Sequence, residues 1–182
     1  MTLLEMKEKT YRLIEELSDE LAEKLTDDPD YEKKINSCIN IIQNELSRIK
    51  KIPDKLEYDT NDGFEYKMPN NMYQIQKIVG CDYDQIGDLI VFDTDYKDKV
   101  TIYYYKYPTE ITEDTKDDEY EFELTQDCLE IMPFGIAGDM LKTDVSTEYG
   151  TYFSNRYNEL KQGLDTRYST MRIHIDTEDR YE

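Results

Sequence analysis

The chain has 182 residues, a length that suits one domain with an insertion or a tail. It carries 22 Lys+Arg against 42 Asp+Glu, and this net charge of -20 excludes a protein that grips nucleic acid phosphates and disfavours an anionic membrane surface as a partner. Hydrophobic residues make up 38% of the chain, but 17 Tyr and 5 Phe supply large amphipathic surfaces, so we expect a modest core completed by tyrosine contacts between subunits.

The first part of the chain predicts two helices. Leucine and methionine recur at helical spacing, with Glu and Lys between them, over about residues 2–26, either as one helix or with a break near Ser18 and Asp19. The acidic, proline-containing sequence at residues 27–30 interrupts this pattern, and Asp30 is a suitable N-cap for a second helix over about residues 30–51. Pro53 ends the second helix because proline lacks the backbone N–H that the helix needs.

Residues from about 53 to 108 predict a β insertion, because helical periodicity disappears there and β-forming residues cluster. Leu89–Phe92 and Val100–Tyr105 flank a polar loop rich in aspartate, which predicts a hairpin. Alternation along the second strand places two sets of side chains on opposite faces, namely Val100, Ile102 and Tyr104 against Thr101, Tyr103 and Tyr105.

An acidic loop follows over residues 109–123, in which acids far outnumber the single base, Lys116. Thr125 can cap a third helix over about residues 125–142, and a fourth helix fits about residues 146–164. Both helical segments carry apolar side chains at helical spacing, so we expect them to pack on the first two helices.

These elements predict an α+β fold, in the form of a small helical bundle of about four helices with a β-hairpin or small antiparallel sheet as an insertion. Residues 1–164 form the predicted domain, and residues 165–182 form an extended C-terminal tail. We interpret the tail as a docking segment, because an alternating strand pattern can add to the edge of a partner's sheet. The docking residues are Met171, Arg172, Ile173, His174, Ile175 and Asp176.

The sequence gives no pattern typical of an enzyme, and we expect no catalytic residue, no metal and no cofactor. His174 is the one histidine, and the three cysteines are far apart, which indicates free thiols in a reducing compartment. Aspartates near Gly87 and in the loop after Phe92 leave weak binding of a divalent cation open. The spacing from Asp93 fails the EF-hand pattern, so solvated turns are the preferred interpretation.

Tyrosines are the candidate contacts between subunits, since this residue is enriched at protein interfaces. The stripe formed by Tyr149, Phe153 and Tyr157 is explained either by core packing, which we prefer, or by a subunit interface. The candidate interface residues are Tyr103, Tyr105, Tyr149 and Tyr152.

Four short phrases follow one another in an order that resembles the head–tail adaptor (connector) proteins of tailed bacteriophages. These phrases are PNNMY at Pro69–Tyr73, YYKYP at Tyr104–Pro108, MPFGIA at Met132–Ala137 and YNEL at Tyr157–Leu160. Each phrase is short, so the resemblance depends on their order and spacing. It covers about residues 2–164 and leaves the tail unmatched.

The resemblance implies a structural virion protein of the phage neck, without enzymatic activity. It implies a homo-oligomeric ring, a dodecamer, that docks beneath the portal protein and receives the next neck or tail component. The genome would pass through the bore without specific binding, assembly would take place in the host cytoplasm, and no membrane partner is expected. Because an acidic wall lets DNA slide, we take as candidate channel-lining acids Glu113, Asp114, Asp117, Asp118 and Glu119.

The strong acidity leaves an alternative open, an acidic DNA mimic that inhibits a DNA-binding protein by occupying its basic cleft. The neutral, tyrosine-rich β segment disfavours this alternative, because a mimic carries charge over most of one face. A metal-dependent factor or enzyme is a third and weaker hypothesis. The adaptor is therefore the preferred interpretation.

Overall fold

The structure, a computed structural model, describes residues 1–15, 25–93, 98–143 and 147–164. Within these ranges the fold is α+β, with four α-helices and six strands. The helices are α1 (Leu3–Leu13), α2 (Pro29–Ile49), α3 (Gln126–Met140) and α4 (Thr147–Gln162). The strands are β1 (Ile52–Asp59), β2 (Glu65–Lys67), β3 (Met72–Val79), β4 (Tyr83–Ile86), β5 (Leu89–Phe92) and β6 (Lys99–Lys106).

Side chains at the N-termini of α1 and α2 fix where these helices begin. Thr2 and Glu5 form a reciprocal capping box, in which the hydroxyl of Thr2 accepts from the backbone N–H of Glu5 at 3.2 Å. Asp28 caps α2 by accepting from the backbone N–H of Asp30 at 2.8 Å, so the predicted N-cap at Asp30 is wrong by two residues. The cap precedes Pro29, which suits the first helical position because that N–H has no helical partner.

The first helix is shorter than predicted. It ends at Leu13, and Glu15 follows with a φ of 59°, a left-handed conformation that does not continue a right-handed helix. The predicted helix over residues 2–26 is therefore wrong at residues 14–15 and 25–26, and residues 16–24 lie outside the described ranges. Helical spacing of leucines did not reveal this end, because periodicity carries no information about a local change in φ.

Helix α3 lies at the centre of the helical core. It contacts α1, α2 and α4, and it is buried on most of its circumference. A helix that is apolar all round needs partners on every side, which explains why three helices surround this one. Its most deeply buried side chains include Cys128, Met132, Ile136 and Met140. Pro133 lies within α3, where it stays part of the continuous helix.

The strands form two antiparallel sheets of three strands each, in the orders β1-β6-β3 and β2-β5-β4. Their inner faces share a second hydrophobic core, formed by Met72, Ile90, Phe92, Val100, Ile102 and Tyr104. The predicted division of faces along β6 is confirmed, because Val100 and Ile102 are fully buried whereas Tyr103 is exposed. The predicted hairpin between β5 and β6 is wrong, since β5 pairs with β2 and β4 while β6 pairs with β1 and β3.

The predicted architecture of a small helical bundle with a hairpin or small antiparallel sheet as an insertion is therefore wrong. The β part is a pair of sheets with a core of its own, and the tail lies outside the described residues. The prediction missed strand β1, where Pro53 and charged residues alternate with apolar ones. An edge strand tolerates proline and charged side chains on its exposed side, so this composition fits a strand at the margin of a sheet.

Close approach of α3 and α4 makes Gly138 a test of the helical packing. A Cβ at this position would lie 2.6 Å from Oγ of Ser154 and 3.0 Å from its backbone N. We expect Gly138→Ala to lower the free energy of unfolding by about 1–3 kcal/mol, because the helices must move apart. Urea unfolding measures this change, with Ser37→Ala on the exposed face of α2 as a control that stays within about 0.5 kcal/mol. Equal stability of the two variants would contradict the close packing.

Candidate functional site

The acidic loop at residues 109–123 is attached to the helices instead of extending into solvent. Ile111 is buried, and both its backbone groups bond to the side chain of Asn40, at 2.8 Å and 2.9 Å. Gln43 donates to the backbone carbonyl of Thr109 at 3.1 Å. These contacts replace water at the backbone of residues 109–111 and attach the start of the loop to helix α2.

Asp117 differs from the other candidate channel-lining acids because it has a buried partner. Its carboxylate accepts two hydrogen bonds from Nζ of Lys7, at 2.8 Å and 2.9 Å, and Lys7 is 8% exposed. The backbone carbonyl of Asp117 also accepts from the N–H of Leu4 at 2.9 Å. Asp117 therefore holds α1 against the loop, and its charge is largely matched within the subunit.

The other four candidate acids form an exposed group on the loop surface. Glu119 pairs with Lys116, which is itself exposed, so this ion pair contributes little to stability. We name the exposed group the acidic ridge; it consists of Glu113, Asp114, Asp118 and Glu119. Of the five predicted acids, the structure therefore leaves four exposed on the loop and pairs Asp117 with the buried Lys7.

A network around Lys106 joins the sheet to the end of this loop. Its ammonium group pairs with Glu123 and, at 3.4 Å, with Asp54 of β1. The hydrogen bond to Glu123 is the main cause that raises the pKa of Lys106 above its ordinary value. Slight burial tends to raise the pKa of Asp54, but hydrogen bonds from Lys55 and Tyr104 and the charge of Lys106 lower it overall. Lys106 and Asp54 therefore stay ionised at neutral pH, and the ion pairs of Lys106 connect the β1-β6-β3 sheet to the end of the loop.

The tyrosine stripe of α4 divides between core and surface. Phe153 and Tyr157 are buried, and the hydroxyl of Tyr157 donates to Glu45 at 3.1 Å. Burial, followed by the nearby charge of Glu45, raises the pKa of this tyrosine. Tyr149 and Tyr152 are 66% and 61% exposed. Core packing therefore explains Phe153 and Tyr157, whereas Tyr149 and Tyr152 are accessible to a partner.

The exposed tyrosines of α4 border a groove of about 620 Å³ at the end of α1. Its wall is largely apolar and aromatic, and two carboxylates lie at its margin. The lining residues are Leu13, Ile14, Glu15, Tyr31, Leu141, Glu148, Tyr149, Tyr152 and Phe153. This composition is typical of a surface that contacts another protein more than of a catalytic pocket.

The other two candidate interface tyrosines lie on the outer face of the β1-β6-β3 sheet, among lysines. Tyr103 is flanked in register by Lys55 of β1 and Lys77 of β3. Nζ of Lys51 lies 4.7 Å from the centre of the Tyr105 ring, a cation–π contact. We name this set, Lys51, Lys55, Lys77, Tyr103 and Tyr105, the lysine–tyrosine face.

Sequence reasoning did not identify the lysines of this face as functional candidates. Lys77 is far from Lys51 and Lys55 in the chain. Only the pairing of β1 and β3 with β6 places Lys55 and Lys77 on either side of Tyr103. Alternation could have found Lys55, which occupies an outward position beside apolar inward residues, but not Lys77, because a register shift in β3 interrupts the alternation before it.

The described cysteines and acids do not form a reactive or metal-binding arrangement. Burial raises the pKa of the Cys38 thiol to about 11, and it also raises the pKa of Cys81 and Cys128, so neutral thiols prevail. All three cysteines are free, as predicted. Across the described part of the chain, no group of three or more His, Cys, Asp or Glu side chains could hold a metal ion.

The predicted docking tail cannot be placed on the molecule. All six of its residues, Met171, Arg172, Ile173, His174, Ile175 and Asp176, lie outside the described ranges. Its role stays a prediction.

Comparisons with known proteins do not assign a family. No protein-family model matches the chain, and no curated protein matches it. The helices within the described ranges are all too short or too polar to cross a lipid bilayer.

The different environments of Asp117 and Asp118 give a direct test of the loop attachment. We expect Asp117→Asn to lower the free energy of unfolding by about 1–3 kcal/mol, because it leaves the buried ammonium group of Lys7 without its charge partner. Asp118→Asn removes the same charge from an exposed position and should change stability by no more than about 0.5 kcal/mol. Chemical denaturation measures both; equal effects would show that the Lys7 pair does not hold the loop.

Proposed function

We propose that this chain is a structural subunit of the phage neck, a head–tail adaptor that forms a homo-oligomeric ring under the portal. In this role it binds copies of itself, the portal protein and the next neck or tail component. The genome passes through the bore of the ring without specific contacts. The protein resides in the virion after assembly in the host cytoplasm.

The observation that carries the proposal is the contact between phrases that lie far apart in the sequence. The backbone N–H of Tyr107 donates to the carbonyl of Asn71 at 2.7 Å, and the rings of Tyr73 and Tyr107 are 5.0 Å apart. The first two phrases, at Pro69–Tyr73 and Tyr104–Pro108, therefore meet at one end of a sheet.

The other two phrases also meet each other, where α3 crosses α4. A Cβ at Gly135 would lie 3.0 Å from the ring of Tyr157, so the small residue admits the aromatic ring. The glycine belongs to the phrase at Met132–Ala137, and the aromatic ring belongs to the phrase at Tyr157–Leu160. The four phrases thus occupy two packing junctions of this fold, and we take this placement as support for the proposal.

The charged surface supports the same role for a physical reason. B-DNA carries about one negative charge per 1.7 Å of its axis, so a basic bore would hold it and an acidic bore repels it. The acidic ridge presents exposed carboxylates from a loop that is fixed on the helical core. A ring of such subunits, with the ridges directed inward, presents a repeated negative wall along which DNA slides.

Exposed aromatic side chains support assembly with protein partners. Tyr149 and Tyr152 lie on one helix beside an apolar groove, and large exposed aromatic patches are typical of protein interfaces. Two carboxylates among aromatic and aliphatic side chains do not make the continuous negative charge that the binding surface of a DNA mimic needs.

Removal of the chain from the phage that encodes it tests the proposal. We expect particles with filled heads that fail to join tails, and electron micrographs in which neck density beneath the portal is missing. A complete neck in the absence of the chain would overturn the proposal. Tight, salt-sensitive binding to a DNA-binding protein, together with a complete neck, would favour the DNA mimic instead.

Charge reversal of the acidic ridge tests its place in the bore. We expect Glu113→Lys, Asp114→Lys and Asp118→Lys, combined in one chain, to slow genome ejection, since lysines in the wall attract phosphates. Ejection kinetics from purified particles give the measurement.

A matched control reverses three exposed acids elsewhere, with the changes Asp62→Lys, Glu65→Lys and Glu130→Lys. It alters net charge equally and should leave the ejection rate unchanged. Equal rates in the ridge variant and wild type would show that the ridge faces away from the bore.

A further inference from the structure

The groove between the end of α1 and the start of α4 gathers aromatic and aliphatic side chains that a monomer seldom exposes together. Tyr149 and Tyr152 are 66% and 61% exposed, and the ring of Tyr152 meets that of Phe153 edge-on, with ring centres 5.4 Å apart. Leu13 and Leu141 extend the apolar wall. The volume of about 620 Å³ lies in the range of cavities that hold compact ligands. We name this groove the aromatic groove.

Two carboxylates at the margin of the aromatic groove have no cationic partner among the described residues. Glu15 and Glu148 are both exposed, and neither takes part in an ion pair there. The groove therefore favours an occupant that brings apolar side chains to the wall and positive charge to the margin. Exposed ion pairs contribute little energy, so apolar contact supplies most of the affinity and the charges select the occupant.

One segment of this chain has that composition. Residues 166–175 contain no acid, although the chain as a whole has 42 Asp+Glu, and they include two arginines and the one histidine. Met171, Ile173 and Ile175 alternate with basic residues, so an extended backbone places the three apolar side chains on one side and the basic ones on the other. The apolar side suits the wall of the groove, and the basic side then lies level with the carboxylates of the margin.

The link between α4 and this segment is long enough to reach the aromatic groove of the same subunit. Helix α4 begins beside the groove at Thr147 and ends at Gln162, so its 16 residues span about 24 Å. Seven residue steps separate Leu164, the last described residue, from Met171, and an extended chain of that length spans about 23–25 Å. The chain can therefore turn back along α4 and bring Met171 to the groove.

We propose that residues 171–175 of the tail dock in the aromatic groove of their own subunit. The three apolar side chains of the segment contact the wall at Tyr149 and Tyr152. Arg172 lies over the margin, near Glu148, where its guanidinium group can also stack on an exposed tyrosine ring. This site differs from the edge of a partner's sheet, which the alternating pattern by itself suggests.

Tethering favours the subunit's own tail over a second copy of the chain as the occupant. A linked segment meets its site at an effective concentration in the millimolar range, whereas a second copy must overcome repulsion between two chains that each carry a net charge of -20. Residues 166–175 are positive, so the acidic surface that repels another copy attracts this segment.

A docked tail keeps the aromatic groove covered in the free subunit. One segment cannot occupy the groove and a partner at the same time, so a partner that takes the tail uncovers Tyr149 and Tyr152. Under the proposed adaptor function, the groove becomes available to a neighbouring copy only where the tail is already engaged. This consequence rests on the proposed function, whereas docking in the free subunit does not.

Limited trypsin digestion of the full chain tests the docking. Trypsin cleaves after Arg172, inside the docked segment, and after Arg180, beyond it, so the second site is an internal reference. We expect Tyr149→Ser with Tyr152→Ser to raise the cleavage rate at Arg172 about tenfold or more relative to wild type, because the segment loses its wall and is released. The rate at Arg180 should stay the same. Mass spectrometry of timed samples measures both rates.

A matched control removes two exposed tyrosines from the β part. Tyr83 and Tyr103 are 40% and 38% exposed, so Tyr83→Ser with Tyr103→Ser removes the same side chains away from the groove. It should leave the cleavage rate at Arg172 at the value of wild type. Circular dichroism melting checks that both variants are folded.

A disulfide bond tests the position of the tail separately from proteolysis. In a Cys81→Ser background, Ile173→Cys with Tyr152→Cys should give an intramolecular disulfide, seen as a faster monomer band on a non-reducing gel that reduction reverses. The control pair joins Ile173→Cys with Tyr103→Cys and should give no such band. Disulfides only between chains would show that another copy supplies the tail, which overturns the proposal.

The docking and the proposed function fail in different ways. Equal cleavage rates at Arg172 in wild type and in the groove variant overturn the docking and leave the adaptor function standing. A complete neck in the absence of the chain overturns the adaptor function and leaves the docking standing.

Discussion

Burial of helix α3 on nearly all sides is the interaction on which the helical half of the molecule depends. In a chain with a net charge of -20, self-repulsion opposes compaction, and few apolar residues are present to offset it. Several of them lie in one central helix, where Cys128, Met132, Ile136 and Met140 are almost fully enclosed. Each such side chain contributes about 1.5–3 kcal/mol relative to exposure, so one helix supplies much of the force that holds α1, α2 and α4.

Helices α1 and α2 of the same core also hold the acidic loop in place. Asn40 and Gln43 of α2 satisfy the loop backbone, while Lys7 of α1 matches the charge of Asp117. The remaining carboxylates need no role in folding and stay exposed. Contacts with α1 and α2 thus give Asp117 a role in the packing of the loop and leave the acidic ridge on the surface.

The β part is a second core with different surfaces on its two sides. One sheet covers the inner face of the other, and the outer face keeps lysines around Tyr103. Lys106 and Glu123 connect this part to the loop that runs over the helices. The molecule therefore presents the acidic ridge, the aromatic groove and the lysine–tyrosine face as three separate surfaces.

The amino-acid sequence alone determined the local elements: helical spacing placed α2, α3 and α4 close to their observed bounds, and alternation divided Val100 and Ile102 from Tyr103. Both signals arise from residues near one another in the chain. Only the tertiary structure decided which strands pair, where α1 ends and how Lys55 and Lys77 reach one row. Strand partners depend on packing between distant segments, and alternation within a strand is the same whichever neighbour it has.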